Sequence, residues 1–371
     1  MKKVLFPDYN NGPANIANSI LKHFKCTQFH PGNPIIDRIL EENNYQHVIL
    51  YLSDGLGTQQ LKEHLSEDSF LRKHHHSDFL SVFPPTTTAS TTTYTTGLMP
   101  NEHGWLGWNM YIKEIDEIVT LFRNCIRDTY VPFEWTEDAA EQIYPNHYLH
   151  QIINEKGDGK GYFYFPFKWT IYKNKEELKT EVIKKCSSNE KNYLYLYDTQ
   201  PDSLMHTNGS HPVEVTQKIQ EINDWLEDIS SQLKDTLIIV TADHGHLDVK
   251  PLYLSEAEEL VKMMIRPTSI ETRASVFHIK EECRPFFKKT FYQYFSEDEF
   301  LVYSSDEIKE MKLFGTGENR AGFDDSIGDF IAISISDKMI VDSPDSFILK
   351  SHHAGLTEEE MIIPLILIEC K

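Results

Sequence analysis

An α/β fold with a mostly parallel central sheet and a smaller inserted lobe follows from three features of the 371-residue sequence. The runs HVILYL (47–52) and TLIIVT (236–241) are apolar throughout, the pattern of parallel strands covered by helices on both faces. Amphipathic helical stretches lie between such runs. From 254 to 345 the register changes to short alternating helices and strands, as in a lobe inserted before the chain returns. The expected division is a core over 1–253, the lobe over 254–345 and a return to the core over 346–371.

Taken in order, Ile16, Ile20, Leu21 and Phe24 recur at helical spacing, so 15–24 is expected to be a helix, followed by a second over 35–42. The strand 47–52 ends in Ser53-Asp54-Gly55, and an Asp past the carboxyl end of such a strand lies where open α/β sheets place ligands. A helix is expected over 58–65, then a strand over 79–83. The next stretch, FPPTTTASTTTYTTG (83–97), combines an extended Pro84-Pro85 entry, hydroxyls of Thr86, Thr87 and Thr88 at a helix start, and a Gly97 stop. A hydroxyl there sits where free backbone N–H groups favour an anion, so it could attack a bound phosphate.

The Gly- and Trp-rich loop 101–111 is suited to wall a pocket, and 114–149 shows no clear period. Strands follow over 162–165 and 192–197, with a helix over 175–185 between them. Beyond the second strand, Asp202 and His206 stand four apart, placing a carboxylate and an imidazole on one face of a helical turn able to clamp a metal ion. The stripe Val215, Ile219, Ile222, Trp225 on a helix over 212–233 is core. At the end of the strand 236–241, Asp243 and His244 form an adjacent pair of metal-ligand type, with Gly245 allowing a sharp turn and His246 read as a neighbour. In the lobe, strands are expected over 274–279, 300–303 and 330–335. The chain closes with His352 and His353 on a glycine-containing loop, of which one invites a metal, then a capped turn at 357–361 and a strand over 363–368.

Composition narrows the function. The sequence holds 57 acidic against 36 basic residues, a net charge of −21, which argues against a nucleic-acid polymer or an anionic membrane surface as partner. A small anionic substrate would then need local positive charge, and bound metal ions are one source. Five cysteines without CxxC spacing read as reduced thiols, and with no signal-peptide core or membrane-spanning run the expected location is cytoplasmic. Three aspartates, three histidines and a threonine on loops after separate strands are the donor types that a two-metal phosphoryl-transfer site needs.

The motifs VILYLSDGLG, FPPTTTASTTTYTTGLMPNEHG, PDSLMH, TADHG and HHAGLTEEEMIIPL, in that order, give the chain its resemblance to the type I phosphodiesterase/nucleotide pyrophosphatase family of the alkaline phosphatase superfamily. The resemblance implies an alkaline-phosphatase-like three-layer sandwich and hydrolysis of phosphodiester or phosphoanhydride bonds through a phosphothreonine on Thr87. It further implies two divalent ions, zinc with manganese as the alternative: one on Asp54, Thr87, Asp243 and His244, the other on Asp202, His206 and His353. His353 matches because it directly precedes Ala354-Gly355. The sequence departs from the family where Thr88, Ala89 and Ser90 replace an FPN segment, and where Trp108, beside Asn109, replaces a phosphate-holding asparagine. Trp105, Trp108 and Asn109 are the substrate-binding candidates, for a small nucleotide or other diester.

The alternatives are a phosphomonoesterase or phosphonate hydrolase on the same scaffold, and a non-catalytic metal-binding relative. No lysine or arginine lies between Phe83 and Ile112 to meet a monoester's extra charge, no CxPxR or SxPxR sulfatase motif occurs, and all seven ligand positions are retained. Arg266, Arg273 and Arg320 are arginines the lobe could supply to a monoester.

Overall fold

The parallel strands lie at the centre of a seven-stranded sheet, in a computed structural model that describes residues 3–127, 129, 139–165, 168–169, 172–346 and 348–371. The strand order is His75–Leu80, Ile362–Cys370, Thr236–Thr241, His47–Ser53, Asn192–Asp198, Lys160–Phe165, Lys168–Trp169. The third to sixth are parallel to one another. Ile362–Cys370 runs antiparallel to both of its neighbours, so His75–Leu80 points the same way as the parallel group. The sheet is thus mostly parallel, as the sequence predicts.

Burial explains the apolar runs. Every residue of His47–Ser53, Thr236–Thr241 and Asn192–Asp198 is buried, so both faces of these strands are covered. Ile16, Ile20 and Leu21 of the helix Pro13–His23, and Val215, Ile219 and Ile222 of the helix Val213–Ser230, share one core with these strands. Each such side chain contributes roughly 1.5–3 kcal/mol by leaving water. The register pairs Ser53 with Asp198 and Leu52 with Thr241, so three loops leave the sheet side by side.

A strand expected over 79–83 lies instead at His75–Leu80. This edge strand is only partly buried, and its outward His76 and Asp78 break the apolar pattern that marks the central strands.

A second seven-stranded sheet, antiparallel throughout, runs Phe300–Ser304, Phe330–Ser334, Ala274–Phe277, Ser269–Ile270, Asn109–Ile112, Glu117–Thr120, Cys125–Ile126. Its last two strands come from the stretch 114–149 without clear sequence period, Asn109–Ile112 begins within the expected loop 101–111, and Ile270 pairs with Asn109 to join the two parts. Among the described residues, no helix is long and apolar enough to cross a membrane.

Candidate active site

The three side-by-side loops carry the acidic residues. Asp54 follows His47–Ser53 directly, Asp243 and His244 follow Thr236–Thr241, and Asp202 opens the helix Asp202–Asn208 beyond Asn192–Asp198. The loops are laced together by backbone bonds, Asp54 N–H to the Asp198 carbonyl at 2.9 Å and Asp202 N–H to the Asp54 carbonyl at 3.0 Å. Gly55 makes this approach possible: at φ +73° a Cβ would be strained and would stand 2.9 Å from His246 and 3.0 Å from Asp202.

Thr87 enters from a different element. It is the first residue of the helix Thr87–Thr96, with Thr86 at the N-cap and Gly97 closing the helix at φ 75°. Thr87 Oγ1 lies 3.2 Å from His244 Nε2 and 3.5 Å from Asp54 Oδ1. His353 arrives from the return segment and stacks on His244 at a ring separation of 3.7 Å.

The hydrogen bonds of the histidines fix their tautomers. His244 Nδ1 meets the Gly245 carbonyl at 3.1 Å, His206 Nδ1 the Ser351 carbonyl at 2.8 Å, and His353 Nδ1 the Pro85 carbonyl at 3.1 Å. A carbonyl only accepts, so each Nδ1 carries the proton and each Nε2 of a neutral ring presents a lone pair. Those lone pairs face carboxylates: His244 Nε2 lies 3.3 Å from Asp54 Oδ1, His206 Nε2 3.2 Å and His353 Nε2 3.9 Å from Asp202 Oδ1. Opposed in this way, a neutral imidazole nitrogen and a carboxylate are satisfied by a cation between them, the part a proton plays between His206 and Asp202, where the carboxylate, against burial, raises the imidazole's pKa.

Charge leads to the same conclusion. Among the described residues, Asp54, Asp202 and Asp243 form ion pairs only with imidazoles. Burial, then the charges of Asp202 and Asp243, drives Asp54 well above the usual carboxylate range, and burial pushes Asp243 up to about 7. Burial also opposes the charge of Asp202, but His206 outweighs it and holds the carboxyl well below its ordinary value. His244 is driven down to about 3 by burial, so it is a neutral donor. Asp243 Oδ2 is buried with no hydrogen-bond partner. Ligand atoms of Asp202, His206, His246 and His353 all lie within 4.8 Å of one another, as do those of Asp54, Asp202 and His244. The residues therefore fit two adjoining divalent cations.

Around this centre the sequence-predicted residues part company. Trp105 is 2% exposed, donates its indole N–H to the Tyr144 carbonyl at 3.1 Å and borders a cavity of about 90 Å³. The Trp108 ring is partly exposed and packs on Phe122, while Asn109 Oδ1 accepts from Thr120 Oγ1 at 2.7 Å. His352 lies beside His206, and its Nδ1 is engaged by the backbone of His353, 2.9 Å from the N–H and 3.0 Å from the carbonyl. All three arginines considered for a monoester are engaged elsewhere: Arg266 with Asp116, Arg273 with Glu360, Arg320 with the carbonyls of His103 and Pro145.

Three residues join the site that the sequence did not place among its site candidates: Tyr197 and Glu271, and His246, read there as a neighbour of the Asp243-His244 pair and found within reach of the Asp202, His206 and His353 ligand atoms. His246 Nε2 lies 2.5 Å from Asp202 Oδ1. The Tyr197 hydroxyl donates to Asp54 Oδ2. Glu271 reaches the start of the Thr87 helix from the second sheet. The DHGH spacing was a visible signal for His246, and the end of the strand Asn192–Asp198 for Tyr197. Glu271 follows a two-residue strand and had none.

Comparison with known proteins agrees with this architecture. A sequence model of the family described as type I phosphodiesterase / nucleotide pyrophosphatase matches residues 48–345. No curated protein matches the chain by sequence. Among solved structures, murine ectonucleotide pyrophosphatase / phosphodiesterase 5 superposes with a TM-score of 0.65 at 17% identity, over 86% of this chain and 87% of that one. It was solved both by itself and as an inactive variant in complex with AMP. The human counterpart gives 0.64 at 16% identity, over 87% of each chain.

Proposed function

Because the chain belongs to the type I phosphodiesterase / nucleotide pyrophosphatase family, hydrolases of phosphodiester and pyrophosphate bonds, we propose that it cleaves a small nucleotide or related diester by transfer to Thr87. The observation that carries this is the position of Thr87 Oγ1, at the first residue of a buried helix and 3.2 Å from His244 Nε2. With its Nδ1 proton held by Gly245, His244 turns an unprotonated nitrogen toward that hydroxyl.

Asp54, Thr87, Asp243 and His244 would hold one ion and Asp202, His206 and His353 the other; the imidazole-rich set suits zinc. Bound there, the ions supply a lowered hydroxyl pKa and countercharge for the phosphoryl oxygens. Thr87 Oγ1 gives its proton to solvent and attacks phosphorus, the bond to the leaving oxygen breaks and that oxygen takes a proton from solvent, and water then cleaves the phosphothreonine, which still carries the second ester group, to release the monoester and restore the Thr87 hydroxyl. Tyr197 orients Asp54 by its hydrogen bond, and His246 orients Asp202.

Substrate recognition rests on the partly exposed Trp108, whose ring offers an apolar face to the second ester group or a base. The AMP complex of the murine neighbour is consistent with a nucleotide. The test is turnover of a dinucleotide, bis(p-nitrophenyl) phosphate and p-nitrophenyl phosphate, each with and without chelator. Chelator-sensitive hydrolysis of the first two is expected, and no hydrolysis of either would remove the proposal.

A further inference from the structure

Thr86 stands at the N-cap of the helix that carries Thr87, yet its hydroxyl makes no cap. An N-cap threonine ordinarily accepts from the N–H of the second or third helical residue. Here Thr86 Oγ1 instead donates to Glu271 Oε1 at 2.6 Å. The same carboxylate oxygen accepts from the Trp108 N–H at 2.9 Å, and Glu271 is 8% exposed. The helix start is left open: among the described residues, the N–H groups of Thr87, Thr88 and Ala89 have no hydrogen-bond acceptor. Thr88 Oγ1, fully buried in that first turn, has no partner either.

Glu271 is held in place at the expense of backbone strain. Its neighbour Ile270 has φ 70°, an outlier for a β-branched residue, and strain of this kind persists only where the surroundings enforce it. The enforcement is visible: Ile270 pairs with Asn109 and Ser275, and the backbone of Gly107 approaches so closely that a Cβ there would stand 2.6 Å from Ile270 Cγ2. Burial pushes the Glu271 carboxyl up to about 7, so it opposes a nearby phosphate less than an ordinary glutamate would.

We propose that Glu271 is a positioning residue that keeps this helix uncapped: by holding the Thr86 hydroxyl it leaves the first-turn N–H groups free to bind the substrate's phosphate oxygens. The inference rests on the reading of Thr87 as the nucleophile. Without Glu271, the Thr86 side chain turns inward, caps the helix and competes with the phosphate for the same donors.

The test is calorimetric titration of inorganic phosphate into the zinc-loaded protein. Glu271→Leu is expected to weaken phosphate binding by about tenfold, the scale of one cap. Thr86→Val added to Glu271→Leu should restore most of that loss, because the competing hydroxyl is gone, and Glu271→Gln, which keeps an acceptor, should bind like wild type. A merely structural role for Glu271 would make the double variant no better than the single one. Phosphate binding unchanged in Glu271→Leu, or a double variant that binds no more tightly than it, overturns the inference. If Glu271→Leu does not fold, Glu271→Ala with and without Thr86→Val makes the same comparison. Failure of the underlying reading looks different: the affinities follow this pattern while wild type turns over no diester.

Discussion

Arg273 and Glu360 form a bidentate ion pair with neither side chain exposed, Nε to Oε1 at 2.6 Å and Nη2 to Oε2 at 2.8 Å. The pair joins the second sheet to the return segment. Glu360 also accepts from Gly355 N–H and from the Thr357 hydroxyl, so the loop that follows His353 is shaped by the same carboxylate. Breaking one partner of a buried pair leaves the other uncompensated.

Arg273→Met should therefore lower stability by about 3–5 kcal/mol, measured by denaturant unfolding of the metal-free protein. Metal affinity should fall with it, because the His353 loop loses its anchor. Arg273→Lys should not restore stability, since lysine cannot reproduce the bidentate geometry.

Acid stability is expected to depend on His103. Its Nδ1 accepts from Trp105 N–H and its Nε2 donates to Thr93 Oγ1, each at 3.1 Å. Burial pushes it down from 6.5 to about 3, so the unfolded chain takes up a proton that the folded one refuses. Stability supplied by the neutral ring is complete above pH 6.5 and is lost as pH falls toward 3. His103→Asn, which retains an acceptor for Trp105, should flatten the fall in melting temperature over that interval, removing on the order of a few kcal/mol of pH dependence. An unchanged slope would assign the acid sensitivity to other groups.

Chelation should abolish turnover, and titration with zinc should restore it at about two equivalents per chain, since each ion serves a different oxygen of the displacement. Full activity at one equivalent, with the second site empty by metal analysis, would contradict the two-ion arrangement.

Diesters should be preferred. With Arg266, Arg273 and Arg320 all paired away from the site, no described arginine of the lobe is assigned to a monoester's second negative charge. The ratio of kcat/KM for bis(p-nitrophenyl) phosphate over p-nitrophenyl phosphate should be at least about tenfold, or about 1.4 kcal/mol. A reversed ratio would indicate a monoesterase.

The central strands were legible because burial on both faces demands unbroken apolar runs, as at 47–52 and 236–241. The aspartates and histidines that the structure gathers stand immediately beyond such runs or on short turns after them, where local sequence still reports position. What escaped was set by tertiary pairing. The strand His75–Leu80 is polar because it lies at an edge, and Asn109–Ile112 and Glu117–Thr120 belong to a sheet completed by residues more than 140 positions away. Trp105 illustrates the limit on substrate residues, since a Gly-rich loop looks the same in sequence whether its tryptophan faces a ligand or Tyr144. Glu271 meets Thr86 across 185 positions, a contact that no local pattern encodes.

The central claim is that Thr87 Oγ1 carries the phosphoryl group between the two halves of the reaction. The direct measurement is mass spectrometry of peptides from enzyme quenched in acid during turnover of a diester, for wild type and Thr87→Ala. A peptide modified on Thr87 by the phosphoryl group together with the diester's remaining ester arm is expected in wild type, and Thr87→Ala should lose both that species and at least about 1,000-fold in kcat while retaining its metal content. Wild-type-like turnover by Thr87→Ala, or the same adduct at Thr86 or Thr88 instead, would contradict the account.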